Sequence, residues 1–176
     1  MNTGVRDDFE AWVHARSRAL ARAAYLLVGD VHLAEDLVQE TLGRVAQRWE
    51  RVARQGSPDA YAHRVMNNLA VDGWRRRIRR PLEVAATERE SAGPAPTSGP
   101  AEAVALQGAL MRLTVKQRAV LVLRFYEDYT EVQTAGLMGC SVSTVKSQTR
   151  HALQRLRELA PDVLAEFDDR REVAHP

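Results

Sequence analysis

The chain has 176 residues and a formal net charge of +2, room for one ordinary domain or two small ones. Its single cysteine, Cys140, excludes an intramolecular disulfide and a thiolate metal cluster. No apolar run approaches the length that crosses a bilayer, and Met1-Asn2-Thr3-Gly4 does not open a basic-then-apolar leader, so a soluble, cytoplasmic protein without membrane contact is expected.

The near-neutral total hides an uneven distribution. Between His63 and Arg80 stand Arg64, Arg75, Arg76, Arg77, Arg79 and Arg80 against the lone acid Asp72, while the stretch after Pro161 holds five acids against two arginines. A concentrated basic segment beside an acidic tail fits a protein that binds a polyanion.

In chain order, Phe9, Trp12, Val13, Leu20, Ala23, Ala24 and Leu27 recur at helical spacing and predict one amphipathic helix over 7–28. Gly29 ends it and Asp30 caps the next. There Ala34, Leu37, Val38, Thr41, Val45 and Trp49 form the inward stripe, and Glu35, Asp36, Gln39, Glu40 and Arg44 the remaining surface. Taken alone, that acidic cluster reads as a solvated face. Residues 51–56 read as a loop. Ser57-Pro58-Asp59 is a helix start, with a hydroxyl cap, a proline in the first turn and then an acid. The helix is expected to run to about Arg80, with Tyr61, Val65, Met66 and Leu69 inward, and Pro81 stops it. Asn67, Asn68, Trp74 and the arginine run crowd its second half. Rings and amides amid arginines suit single-stranded nucleic acid, where bases stack and cations follow phosphates. A merely positive helix, with Trp74 in the core, fits the same residues equally well.

Residues 81–101 hold Pro81, Pro94, Pro96 and Pro100 among glycines and serines, too little apolar surface to offset ordering entropy, and read as a flexible linker. A short helix over 102–112 follows. Thr114 to Gln117 is a capping box, opening an apolar helix to about Tyr126. Thr130 to Gln133 is a second box, for a helix ending at Met138, where Gly139 provides positive φ. Ser141 then caps a helix with Val142, Val145, Leu153 and Leu156 on one stripe. Its other face carries Ser143, Thr144, Lys146, Ser147, Gln148, Arg150 and His151, groups that reach base edges and phosphates in a major groove. The pair is a helix-turn-helix. Without strand patterns or repeats the fold class is all-α, as two small helical domains, 1–80 and 102–160, joined by the linker 81–101 and followed by an acidic tail, 161–176.

Catalysis of its own finds no support. The five histidines are scattered, no nucleophile and base stand at a plausible spacing, and no glycine-rich loop could hold a nucleotide. No cofactor and no metal are expected.

These residues, in this order, resemble a known family. Ala34-Glu35-Asp36-Leu37-Val38-Gln39-Glu40-Thr41, then Asn68-Leu69-Ala70-Val71-Asp72 running into Arg75-Arg76-Arg77, then Gln117-Arg118-Ala119-Val120-Leu121 and Gly139 to Ser147 closely resemble an extracytoplasmic-function sigma factor, group 4 of the sigma-70 family of bacterial RNA polymerase sigma factors. The connector Arg124–Asp128 is similar to that of its compact actinobacterial-type branch. The resemblance implies that Asp36, Gln39 and Glu40 bind the clamp coiled coil of the polymerase largest subunit, which replaces the solvated-face reading. It implies that the helix from Ser57 melts and captures the minus-ten element, with Tyr61, Arg64, Asn67, Asn68, Trp74, Arg75, Arg76 and Arg77 as the contact set. The second helix of the helix-turn-helix, through Ser143 to His151, would read duplex DNA at the minus-thirty-five element. Core polymerase, at its clamp and its flap region, and promoter DNA are the implied partners, with an anti-sigma protein left open. A stand-alone helix-turn-helix regulator, dimerising through its first half, is the competing reading.

Overall fold

The computed structural model describes residues 3–79 and 101–161, and among these residues the only regular structure is helix, joined by short turns. The linker expected over 81–101 lies outside them except for Ala101, which opens a helix, and the acidic tail expected over 161–176 lies outside them except for Pro161. The first half comprises α1 (Thr3–Val28), α2 (Val31–Ala46), α3 (Trp49–Gln55) and α4 (Pro58–Arg79). The second comprises α5 (Ala101–Met111), α6 (Val115–Leu121) with a π-helical turn at its end (Val122–Tyr126), α7 (Glu131–Met138) and α8 (Val142–Leu159).

The local punctuation is that expected. Gly29 leaves α1 at φ 76°, and Asp30 caps α2 by accepting from the Leu33 amide at 2.9 Å. The Ser57 hydroxyl accepts from the Ala60 amide at 3.4 Å, and both threonine capping boxes are closed in both directions. Each bond satisfies an amide that the first helical turn leaves without an intrahelical partner.

Two boundaries differ. Residues 51–55 are not a loop but the body of α3, and Trp49 opens that helix rather than ending α2. The stretch Trp49–Gln55 contains good helix formers and no breaker before Gly56, and Trp49 anchors it from the core. Its ring stands 5.2 Å from Phe9 and 5.4 Å from Trp12, centroid to centroid. A seven-residue helix is marginal by itself, and this buried aromatic cluster holds it. The other difference lies after Leu121, where the α-helix widens into the π turn. The Glu127 amide reaches back to the Val122 carbonyl at 2.9 Å, and Asp128 takes the left-handed conformation at φ 60°. Such a turn redirects side chains by one position. Here Phe125 and Tyr126 are left at the surface and Glu127 is turned inward.

The two halves are not independent. Leu20, Ala23, Ala24, Leu27, Leu37, Val38, Met66 and Leu69 of the first half share one apolar cluster with Val115, Ala119 and Val122 of the second. Helices α6 and α7 pack on α4, and α5 and α6 pack on α1. Gly29 lies so close to Met111 of α5 that a side chain there would collide with it. The second half keeps cores of its own, Val120 with Ala135 and Val145, and Leu110, Leu113 and Leu121 with Ala152 and Leu156.

Candidate nucleic-acid interface

The helix-turn-helix is built by its caps. Gly139 ends α7 at φ 63°, ψ 40°, and the Ser141 hydroxyl accepts from the Thr144 amide to start α8. Val145, Ala152 and Leu156 are buried, which rotates the polar face outward. Ser143, Thr144, Lys146, Arg150 and His151 are exposed, and Ser147 and Gln148 are half-buried. The Ser143 and Thr144 hydroxyls each lie 2.8 Å from the cap hydroxyl of Ser141, and Ser147 donates to the Thr144 carbonyl at 3.1 Å. Lys146 Nζ stands 3.6 Å from Glu131 of α7, an exposed pair that contributes little and yields readily to a phosphate. The free helix face therefore presents cations at Lys146 and Arg150 around short hydroxyls, as a duplex reader requires.

Helix α4 divides the expected minus-ten set. Arg64, Asn68 and Arg76 are exposed, and Tyr61 is half-buried. Trp74 is 44% exposed, so it stands in the solvent and not in the core. Asn67 is only 5% exposed and cannot touch a base in this arrangement of the halves. Arg75 and Arg77 belong to α4, but their side chains lie outside those described. The start of α4 is pinned to α1. Trp12 Nε1 donates to Asp59 at 2.9 Å and Arg16 Nε at 2.8 Å, with a further contact from Arg16 Nη2.

The hydrogen bonds from Arg16, aided by Trp12, hold the Asp59 carboxyl below its ordinary range against the opposing effect of burial. A carboxyl depressed by folding stabilises the protein above its unfolded value, and the gain disappears as pH falls through the folded value. Acid unfolding should therefore include an Asp59 contribution below about pH 4, and Asp59→Asn should flatten that part of a stability-against-pH curve. An unchanged curve would mean the pair does not hold α4.

The acidic patch is where the helical wheel puts it. Asp36, Gln39 and Glu40 are all exposed on α2, and Glu40 pairs with Arg44 at 2.6 Å. Asp36 and Glu40 line a groove together with Trp74 and Arg76 of α4 and Val115 and Arg118 of α6.

Arg118, quoted above only as part of a motif, is the residue whose role went unread. It is 8% exposed. Its Nε donates to the Leu27 carbonyl at 2.8 Å, and its Nη1 to the carbonyls of Leu113 at 2.8 Å, Met111 at 3.3 Å and Leu110 at 3.4 Å. Those are the carbonyl ends of α1 and α5, where backbone dipoles favour a cation. Burial lowers its pKa, and the guanidinium stays charged nonetheless. A signal was present, because Arg118 lies three residues after Val115 and four before Val122, on the apolar stripe itself. His63 and Glu127 also went unread. Their side chains meet across the two halves at 3.1 Å and are nearly buried, with the Tyr129 ring edge-on to His63 at 5.7 Å.

Comparison with known proteins places this architecture. Residues 6–80 match sigma-70 region 2, and residues 103–156 match sigma-70 region 4. The RNA polymerase sigma-E factor of Streptomyces coelicolor is 40% identical over 169 residues, spanning 94% of each chain. The ECF RNA polymerase sigma factor SigL of Mycobacterium tuberculosis is 32% identical over 143 residues, 78% of this chain and 80% of that one. The sigma factor RpoE of Bartonella quintana, solved with the anti-sigma factor NepR, shares the fold at a TM-score of 0.70 and 24% identity, over 88% of this chain and 98% of that one. A polar-faced helix-turn-helix behind a four-helix region with a basic helix and an acidic patch defines a promoter-specificity subunit. The chain belongs to the extracytoplasmic-function sigma factors of the sigma-70 family, and it directs promoter-specific transcription initiation. The stand-alone regulator is not favoured, because the half it would use for dimerisation is region 2.

Proposed function

We propose that Asp36, Gln39 and Glu40 dock this sigma factor on the clamp coiled coil of core polymerase, that α4 captures the opened minus-ten strand, and that α8 reads the minus-thirty-five duplex. The observation that carries this reading is the sorting of exposed side chains. Acids and an amide stand out on α2, a tryptophan with arginines on α4, and hydroxyls with cations on α8. Bond making stays with the polymerase, and the chain contributes binding alone, in the cytoplasm where the polymerase works. Among the described residues no helix is long and apolar enough to cross a membrane. The RpoE neighbour was solved with an anti-sigma factor, and a protein of that class is a candidate partner for this chain.

Run-off transcription with core polymerase on a mapped promoter tests the assignment. Arg150→Ala should lose about 1–3 kcal/mol at one base position of the upstream element, seen as weaker transcription with relaxed preference at that position. If transcription and preference both stay as in the wild type, the face of α8 is misassigned. Trp74→Ala acts at a different step. Stacking is worth about 1–3 kcal/mol per base and appears only after bases leave the duplex. Open-complex formation should fall about tenfold on duplex promoter and less on a pre-melted bubble, with closed-complex binding near normal. Equal loss on both templates would move strand capture elsewhere. Because Trp74 is exposed, thermal stability should hardly change.

A further inference from the structure

We infer that a second polyanion surface lies on α3, where Arg48, Arg51 and Arg54 hold backbone phosphates of the captured strand beyond the reach of α4. The inference extends the reading of α4 as the strand-capture helix and rests on it. Arg48 stands directly before α3, and Arg51 and Arg54 lie within it. Because Trp49–Gln55 is helical, arginines three positions apart come to one side, a grouping that a loop over 51–56 would not produce. All three are exposed, and together they line one open cleft of about 610 Å³ at the junction of α2 and α3.

The cleft has the chemistry of a phosphate holder and not of a base reader. Among the described residues its lining has one acid, Glu50, and that acid lies beside Arg54. Arg54 Nε donates to the Glu50 carbonyl at 2.8 Å, and its Nη2 stands 3.7 Å from the Glu50 carboxylate. An exposed pair of this kind contributes little and yields to a phosphate. The Trp49 ring also lines the cleft, but it is 5% exposed and held by Phe9 and Trp12, so no base can stack on it. What remains is charge, and guanidinium groups bind phosphate without regard to sequence.

Continuity with α4 identifies the polyanion. Helix α3 packs on α4 and leads into it through Gly56 and the capping Ser57. Trp74 follows Pro58, the first residue of α4, by roughly 24 Å along the helix axis. A strand that stacks on Trp74 and runs past the exposed Asn68 and Arg64 therefore arrives at the α3 end of α4. The arginines of the cleft meet its backbone where the contact set of α4 stops.

The test uses holoenzyme, assembled from core polymerase and the full chain, with labelled single-stranded oligonucleotides that carry the minus-ten element. One strand ends with the element, and two are extended by roughly six nucleotides, each at a different end. One of the extended strands should bind the parent about tenfold more tightly than the short one. In the Arg48→Gln, Arg51→Gln, Arg54→Gln variant that gain should vanish. The slope of log affinity against log salt should fall by about 2, because each phosphate contact on a single strand contributes about 0.7. The matching triple lysine variant should keep most of the slope, since an ammonium still serves a phosphate as a point charge. A thermal melt checks folding, and the single glutamine variants, each expected to lose about 0.7 of slope, carry the test if the triple one does not fold. Trp74→Ala should weaken all three strands alike. Parent holoenzyme that binds the three strands equally, or glutamine variants with parental slope and affinity, overturns the inference. So does a glutamine variant that binds core polymerase more weakly yet, once saturated with core, holds the extended strand as the parent does, which makes the arginines a polymerase contact. Failure of the α4 reading looks different. Trp74→Ala would then leave every strand bound as in the parent, while the glutamine variant still loses the extension and the arginine surface stands without α4.

Discussion

Arg118→Met should lower the unfolding free energy by about 3 kcal/mol, read as a shift in urea midpoint at unchanged slope. Methionine nearly fills the volume, so the loss reports hydrogen bonds and not a cavity. A hydrogen bond to a charged group contributes about 1.5–3 kcal/mol, and a buried carbonyl left without a donor costs a further amount. Two of the four carbonyl contacts, to Leu27 and Leu113, are at 2.8 Å, and losing them accounts for most of the effect. Against this, the cation no longer has to be desolvated, which keeps the expected loss well below the sum of the bonds. Arg118→Lys should recover only a minor part, since one ammonium on a flexible stem cannot match a planar fork aimed at the ends of two helices. A change within about 0.5 kcal/mol, the usual range of surface substitutions, would show that the guanidinium merely occupies space.

The second large effect belongs to the acidic patch. Asp36→Arg combined with Glu40→Arg should weaken core polymerase binding by at least about thirtyfold, the equivalent of about 2 kcal/mol at the low end for disrupting a buried interfacial charge pair. Folding should be almost untouched. Both residues are exposed, and the only loss expected is the Glu40–Arg44 pair at 2.6 Å, worth about 0.3–0.5 kcal/mol for such i,i+4 neighbours. Competition binding to core polymerase, paired with a thermal melt, separates the two quantities. Wild-type affinity in a fully folded variant would remove the patch from the polymerase interface.

What could be read from the chain was what depends on neighbours a few residues apart. Asp30, Ser57, Thr114, Thr130 and Ser141 cap their helices because a short side chain reaches amides only two or three positions on. Gly29 and Gly139 end theirs because positive φ costs glycine nothing. The helix-turn-helix and its outward face follow from those stops and from the 3.6-residue period of Val142, Val145, Leu153 and Leu156. Even α3 was missed for a local reason of its own, since seven residues give too short a window for a period to show.

The tertiary structure decided the rest. Trp74 fits a stacking surface and a core equally well as a letter in a helical pattern, and only its 44% exposure separates them. Asn67 carries the same polar signature as Asn68, yet one is buried and the other exposed, because α6 and α7 pack on one side of α4. The pairing of His63 with Glu127 spans a sequence separation that no periodicity encodes, and it needs the π turn to bring Glu127 inward. By itself the sequence determined the elements, their ends and their polar faces, since propensity, capping and amphipathicity are short-range. Which faces remain open to DNA and polymerase, and which are closed by the chain's other half, was decided by how the two halves pack, because burial is a property of what comes to lie against a surface in space.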